Sequence, residues 1–212
     1  MAATLCTSAL AVGVTPFVRV SSHDVAIIGR VLDGGALGII VPHVGSAAEA
    51  AELARAVHLP PIGSRRVYGF TPLASITGLD GDDLAAEIAR RTVFAPMIES
   101  ARAVEDAERI AAVDGVDLLI VGAHDLAADL GVPGQFDHAE IATAFSAVAD
   151  ACRAHGVAFG VAGLSAPDLL GDLVAKGLRF ISAGSDIGFF RQAAGSRLAE
   201  LRSLAPTGQD RA

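Results

Sequence analysis

The feature that most constrains the fold of this chain is a repeating alternation from Thr15 onward. Short β-branched or aliphatic runs alternate with Ala-rich amphipathic stretches. This alternation predicts a parallel sheet, because each parallel crossover needs a connection of helix length. Runs such as LGIIV and VDLLIV are apolar throughout, which indicates helices on one face and either a barrel interior or a second helix layer on the other. We predict six strands, at 15–20, 37–41, 93–98, 116–121, 156–161 and 179–184.

Amphipathic stretches between these runs predict the helices. Ser46, followed by Glu49 three residues later, is typical of a capping box, and Pro167 fits the first turn of a later helix. The segment Leu59–Gly81 breaks the rhythm and is predicted to be a functional or mobile loop, and the tail after Ser203 is predicted to fray. Helices are predicted at 2–12, 24–33, 46–57, 82–91, 101–112, 137–155, 165–176 and 186–201.

Composition narrows the class of protein. A chain of 212 residues with 52% apolar residues favours one domain with a single well-buried core. The net charge of −8 with only 16 basic residues argues against nucleic acid or an anionic membrane as a partner. Cys6 and Cys152 form neither a disulfide framework nor a metal-ligand spacing, which favours a reducing, cytoplasmic location.

Two carboxylates, Glu99 in MIES and Asp125 in VGAHDLAADLG, each follow an apolar strand-like run. Neighbouring parallel strands lie about 4.8 Å apart, so acids at two consecutive strand ends can hold one cation. Ligation by two carboxylates leaves positions for water and substrate and favours Mg²⁺ or Mn²⁺ over zinc. The alternative is that Glu99 and Asp125 serve only as helix N-terminal residues.

Several motifs occur in an order that resembles the HpcH/HpaI family of metal-dependent aldolases, which has citrate lyase β-subunit relatives. The resemblance runs from about Val14 to Phe190. It implies a (β/α)8 TIM-type barrel, a homo-oligomer such as a hexamer, and cleavage of 2-keto-4-hydroxy acids to pyruvate and an aldehyde through a pyruvate enolate held on a divalent metal. The motifs are TPFVRV, IIVPHV, PPIGSRR, MIES, VGAHDLAADLG and ISAGSDIGFF.

Site residues follow from the resemblance by position. Glu99 and Asp125 would be the metal ligands, and Arg19 would contact the keto oxygen. The turn Gly122, Ala123, His124 and Asp125 would hold the substrate carboxylate through backbone amides, so the partner is a small 2-keto acid. A Lewis acid and a fixed guanidinium both suit the enolate oxyanion that carbon–carbon cleavage leaves.

Histidines offer candidates for proton transfer. His43 follows IIVP at the predicted barrel mouth and is the better placed, whereas His124 is expected to lend only its backbone amide. His58, His138 and His155 are predicted to be exposed residues at helix ends. Phe189 and Phe190 are predicted to belong to the core or to a subunit contact.

The chain departs from the family pattern at its start. The strand TPFVRV resembles the family's third strand, so two strands and the acid/base histidine with its aspartate partner have no counterpart. An N-terminally truncated barrel of about six strands is therefore expected, with Met1 as an internal methionine of a longer protein. The alternatives are a non-catalytic protein that binds metal and a small oxo-acid, or a subunit whose neighbour supplies the missing sheet edge. Arg65 and Arg66 leave open a site for a CoA thioester, as in the citrate lyase relatives.

Overall fold

The computed structural model describes residues 1–66 and 71–204 and contains one parallel sheet of six strands in the order β1 to β6. All six predicted strands are confirmed, with ends that differ by at most three residues. Each strand pairs with its neighbours in chain order, so every connection is a helical crossover in the same direction. The strands are β1 (Phe17–Arg19), β2 (Gly38–Val41), β3 (Val93–Ile98), β4 (Leu118–Gly122), β5 (Ala158–Ala162) and β6 (Leu178–Ile181).

Eleven helices occur in the described residues, and most match the predicted stretches. They are α1 (Ala2–Ala11), α2 (Val25–Asp33), α3 (Ala47–Val57), α4 (Pro72–Thr77), α5 (Gly81–Arg91), α6 (Ala101–Glu105), α7 (Ala107–Ala111), α8 (Ala123–Asp129), α9 (Ala139–His155), α10 (Pro167–Ala175) and α11 (Asp186–Ser203). The Ser46 hydroxyl accepts from the Glu49 amide at 3.3 Å, as the capping pattern predicts, while the Glu49 carboxylate accepts from the Gly45 amide.

Two predictions about helices were wrong. The segment 59–81 contains α4, where Thr71 caps a helix that begins with Pro72 and ends at Gly78 in the left-handed conformation. The predicted helix 101–112 is interrupted at Asp106, whose carboxylate accepts from the Ala47 amide at 2.7 Å. Residues 67–70 of the predicted loop and 205–212 of the predicted frayed tail lie outside the described residues.

The sheet is buried on both faces, as its continuous apolar strands predict. Helices cover the outer face, where Ile39, Phe94 and Leu119 belong to the main core. The inner face carries a second cluster centred on Met97 and Ile120. The parallel strands therefore curve into a half-barrel with a filled interior.

The half-barrel has two edge strands in the described residues, β1 and β6. Phe17 on β1 and Phe180 on β6 lie with their ring centroids 5.4 Å apart. Both rings pack against the inner cluster. Side chains from the first and last strands thus meet across the interior and cap the inner core.

Helix α11 is the exception to this packing, because none of its residues is buried. Phe189 and Phe190 are 56% and 75% exposed, so the prediction that they belong to the core of this chain was wrong. The other half of that prediction, a subunit contact, stays open.

Cys6 and Cys152 are both buried and free. Burial raises the pKa of the Cys152 thiol to about 12, which keeps it protonated and unreactive at neutral pH. Across residues 1–66 and 71–204, we find no helix with the length and apolar character needed to cross a bilayer.

Candidate active site

The predicted site residues lie at one edge of the sheet. Because all strands are parallel, their carboxyl ends share that edge, which is where α/β proteins place their ligand sites. Arg19 ends β1, His43 follows β2 by two residues, Glu99 directly follows β3, and Gly122 ends β4. Four consecutive strands therefore bring their candidate residues to the same rim.

Glu99 is buried, with only 5% of the residue exposed. Its Oε2 atom accepts a hydrogen bond from the His43 backbone N–H at 2.6 Å and lies 3.0 Å from His43 Nδ1. It does not cap a helix, because Ser100 is the N-cap of α6 and its hydroxyl accepts from the Ala103 amide. Glu99 is therefore not the N-cap of α6.

Gly122 contacts the Glu99 carboxylate on the side opposite to His43. A Cβ atom built on Gly122 would lie 2.6 Å from both Cγ and Oε1 of Glu99, closer than real Cβ contacts come. The absence of a side chain at this position is what admits the glutamate. Oε2 of Glu99 thus faces the end of β2, while Oε1 faces the end of β4.

Asp125 lies in the first turn of α8, three residues after Gly122, and is exposed. The helix begins at Ala123 with Gly122 as its N-cap, so Asp125 is a first-turn residue rather than the N-cap. This start places Asp125 in the same turn that contacts Oε1 of Glu99. Ala123 is buried, whereas His124 is exposed.

The donor chemistry here fits a hard divalent cation. Within residues 1–66 and 71–204, no group of three or more His, Cys, Asp or Glu side chains is placed to hold a metal ion. A site built on Glu99 and Asp125 would therefore leave most coordination positions to water and substrate oxygens, as Mg²⁺ prefers. Oε1 of Glu99 also accepts no hydrogen bond from the described residues, so its lone pairs are available for a cation.

Arg19 is exposed at the end of β1 and forms no salt bridge with a residue in the described part of the chain. Its strand is adjacent to β2, which carries His43. Arg19 can thus approach a ligand at this rim from the side opposite to the 122–125 turn.

The His124 ring packs against the Phe136 ring edge to face, with centroids 4.9 Å apart. On its other side lies Gly163, where a Cβ atom would collide with Nδ1 of the ring. Gly163 has φ +87°, in the region that favours glycine. These contacts fix the 122–125 turn against the loop that follows β5.

His58 differs from its prediction as an exposed helix-end residue, because it is only 5% exposed. Its Nε2 atom lies 2.6 Å from the Gly115 carbonyl oxygen and 3.7 Å from Asp117 Oδ2. The Asp117 carboxylate in turn accepts from the Phe94 amide at 2.8 Å. This polar cluster, in which His58 is buried and Asp117 is exposed, lies at the amino ends of β3 and β4, away from the candidate site.

A cavity of about 940 Å³ lies between the 59–66 segment and α5 and shares no lining residue with the rim site. Arg65 lines it, but its guanidinium is paired with Asp33 at 2.9 Å and its side chain is 6% exposed. A buried, paired arginine is poorly available to a CoA phosphate. The structure therefore weakens the interpretation of Arg65 as part of a CoA site and leaves Arg66 as its exposed neighbour.

Some residues that shape the site were missed from the sequence. Asp129, at the end of α8, accepts from the Ala101 amide at 2.7 Å and so ties α8 to the start of α6 beside Glu99. No local pattern reveals this contact, because its partners are 28 positions apart. Gly163 could have been identified from the sequence, because an isolated glycine after a strand often marks a place where another group lies close to the backbone.

Comparison with known proteins places the chain in a family. The model of the HpcH/HpaI aldolase/citrate lyase family matches residues 1–193. This chain belongs to that family, as its motifs indicate.

Its curated relatives are aldolases. The 4-hydroxy-4-methyl-2-oxoglutarate aldolase of Hapsidospora irregularis is 41% identical over 77% of this chain and 61% of the relative. The hydroxypyruvate/pyruvate aldolase of Paraburkholderia phytofirmans is 35% identical over 89% of this chain and 73% of the relative. This chain thus spans about three fifths of the length of the first of these relatives.

Solved structures carry the same fold. The HpcH/HpaI aldolase from Desulfitobacterium hafniense superposes with a TM-score of 0.88 at 28% identity, covering 98% of this chain and 80% of that one. An HpcH/HpaI aldolase/citrate lyase family protein from Burkholderia cenocepacia gives 0.83 at 31% identity, covering 95% and 79%. The half-barrel of this chain therefore matches most of each family structure.

Proposed function

We propose that this protein is a divalent-metal-dependent aldolase with a TIM-barrel-type fold that reversibly cleaves 2-keto-4-hydroxy acids to pyruvate and an aldehyde. The observation that carries the proposal is the buried Glu99 carboxylate, whose Oε1 faces the turn that contains Asp125. Family membership and the aldolase relatives support the same reaction class.

The reaction places two demands on the site. Loss of the C4 hydroxyl proton allows the C3–C4 bond to break, which releases the aldehyde and leaves the electron pair on the pyruvyl fragment as an enolate. Protonation of that fragment at C3 then yields pyruvate. The site must therefore stabilise negative charge on the former keto oxygen and move one proton in each direction.

Glu99 and Asp125 would hold the metal, and Mg²⁺ or Mn²⁺ suits their oxygen donors. When bound, the ion supplies Lewis-acid stabilisation of the keto oxygen. Arg19, exposed at the neighbouring strand end, would add a guanidinium contact to the same oxygen. Gly122, Ala123, His124 and Asp125 would orient the substrate carboxylate through their backbone amides, and His43, 65% of whose side chain is exposed, is the candidate for proton transfer.

Exchange of the pyruvate methyl protons with deuterated water tests this function without knowledge of the aldehyde. We expect exchange that depends on added Mg²⁺ or Mn²⁺ and that falls at least 100-fold in Glu99→Gln. The variant Glu108→Gln is the matched control, because Glu108 is an exposed residue of α7. Exchange in Glu99→Gln at the wild-type rate would contradict the assignment.

A second candidate function is binding of metal and a small oxo-acid without turnover. This function needs the ligand-holding residues Glu99, Asp125 and Arg19 but no group that transfers a proton. Calorimetry separates the two candidates. Metal-dependent binding of pyruvate or oxalate with no methyl exchange identifies the non-catalytic function, whereas binding with exchange identifies the aldolase.

We also propose that the protein is a homo-oligomer in which subunit contacts cover α11, and the family resemblance favours a hexamer. None of the 18 residues of this helix is buried against the described part of the chain, although most helices in proteins depend on tertiary packing. Sedimentation equilibrium tests this. We expect a defined oligomer that dissociates in the double variant Phe189→Ser/Phe190→Ser, and a monomeric wild-type protein would contradict the proposal.

A further inference from the structure

His43 has an unusual backbone conformation. Its φ is +55°, and it is the only residue other than glycine in the described ranges with a positive φ. A left-handed conformation is sparsely populated for residues with a side chain, although histidine adopts it more often than most. Such a conformation persists where surrounding interactions stabilise it.

The stabilising interaction here is with Glu99. The left-handed turn directs the His43 backbone N–H and the ring Nδ1 toward one atom, Oε2 of Glu99, at 2.6 and 3.0 Å. A carboxylate oxygen is a hydrogen-bond acceptor, so the tautomer with a hydrogen on Nδ1 suits this contact. The backbone and ring nitrogens of His43 therefore both approach a single oxygen of the carboxylate.

The other oxygen has a different environment. Oε1 lies against Gly122, where even a methyl group has no room, and it accepts no hydrogen bond from the described residues. Since β3 lies between β2 and β4, the carboxylate bridges its two neighbouring strands. One oxygen is engaged toward β2, and the other is open toward β4 and the Asp125 turn.

We propose that His43 is a positioning residue that engages Oε2 and so makes Glu99 a ligand through Oε1 alone. The inference rests on the proposed function, because it takes Glu99 as a metal ligand. Hydrogen bonds to ligating carboxylates fix their orientation and typically change metal affinity by about 10- to 100-fold. This role uses Nδ1 and the backbone and is separate from any proton transfer through Nε2.

Substitution at this position can separate the two donors. His43→Gly keeps the backbone N–H and favours the observed φ, so it removes only the ring contact. His43→Asn tolerates the same backbone conformation and returns a side-chain amide donor. Because 65% of the His43 side chain is exposed, both variants are expected to fold. His155→Asn, on an exposed residue at the end of α9, is the matched control.

Calorimetry and electron paramagnetic resonance with Mn²⁺ alone give the affinity. We expect His43→Gly to bind Mn²⁺ about 10-fold more weakly than the wild type, His43→Asn to recover part of the loss, and His155→Asn to bind as the wild type does. The unfolding midpoint of the metal-free protein should differ little among the variants. A general loss of structure would instead lower that midpoint together with the affinity.

Infrared difference spectra on addition of Mn²⁺, with ¹³C-labelled glutamate carboxyl groups, report the binding mode directly. We expect a wide splitting of the carboxylate stretches in the wild type, as one-oxygen ligation gives, and a narrower splitting in His43→Gly as Oε2 becomes available. Wild-type affinity and unchanged splitting in His43→Gly would overturn the inference and leave the proposed function intact. Failure of the wild-type protein to bind Mn²⁺ would overturn the proposed function and the inference with it.

Discussion

Phe17 and Phe180 contact each other across the half-barrel, although they belong to the first and last strands of the sheet. Their centroids lie 5.4 Å apart and their planes are inclined by 45°, within the range of favourable aromatic pairs. The contact closes the inner cluster between two edges that have no strand partner among the described residues. The contact therefore links the two edge strands, β1, which carries Arg19, and β6, which precedes α11.

A double-mutant cycle measures this coupling. We expect Phe17→Ala and Phe180→Ala each to lower the free energy of unfolding by about 2 kcal/mol, less than a fully buried Phe because both rings are only partly buried. The coupling energy should be about 1 kcal/mol. Phe145, which belongs to the outer core, is the control partner, and its cycle with Phe17 should be additive. Additivity in the Phe17–Phe180 cycle would contradict the contact.

The ionisation of Asp117 makes the stability of the fold depend on pH. Partial burial raises the pKa of its carboxyl although 42% of the side chain is exposed, and the Phe94 amide and His58 offset only part of that rise. The folded state therefore binds the Asp117 proton more tightly than the unfolded state does. Between the ordinary aspartate pKa and the raised folded value, this group's contribution to stability falls as pH increases.

We expect Asp117→Asn to remove this dependence, because an amide oxygen can still accept from Phe94 and the amide does not titrate. Urea unfolding from pH 3 to pH 7 is the measurement. The stability of the variant relative to the wild type should increase as pH rises through the window above the ordinary value. A relative stability that decreases over the same range would show that burial is not the dominant influence.

Gly122 should be intolerant of any side chain. The added methyl group of Gly122→Ala would displace the Glu99 carboxylate, so we expect at least a 10-fold loss of Mn²⁺ affinity. Gly171→Ala is the control, because Gly171 lies within α10 with open space around its Cβ position, and a stabilisation of about 0.5–1 kcal/mol is expected there. Equal Mn²⁺ affinity in wild type and Gly122→Ala would place Glu99 outside the metal site.

Strands and most helices were predicted well, because the patterns that mark them extend over only a few consecutive residues. The apolar runs ending at Ile98 and Val121 marked buried strands, and Ser46 marked a helix start. Helix α4 was missed although Thr71, Pro72 and Gly78 are its start and stop residues, because prolines and glycines around it suggested a loop. Residues of these types occur both at helix ends and in loops, so their presence alone does not distinguish the two.

The site was only partly accessible from the sequence. The places of Glu99 and Arg19 at strand ends followed from periodicity, and the resemblance supplied their expected roles. The contact of His43 with Glu99 joins residues 56 positions apart, and the contact of His58 with Gly115 joins residues 57 apart. Such contacts depend on the crossover geometry of the whole sheet, so no short pattern could predict them.

The central claim is that Glu99 and Asp125 together hold one divalent ion. Calorimetric titration of Mn²⁺ into the double variant Glu99→Gln/Asp125→Asn tests it most directly, with Glu108→Gln/Asp137→Asn as a control that removes the same charge from exposed positions. We predict one Mn²⁺ site per chain in the wild type and the control and no measurable site in Glu99→Gln/Asp125→Asn. Retention of wild-type stoichiometry and affinity by that double variant would contradict the account.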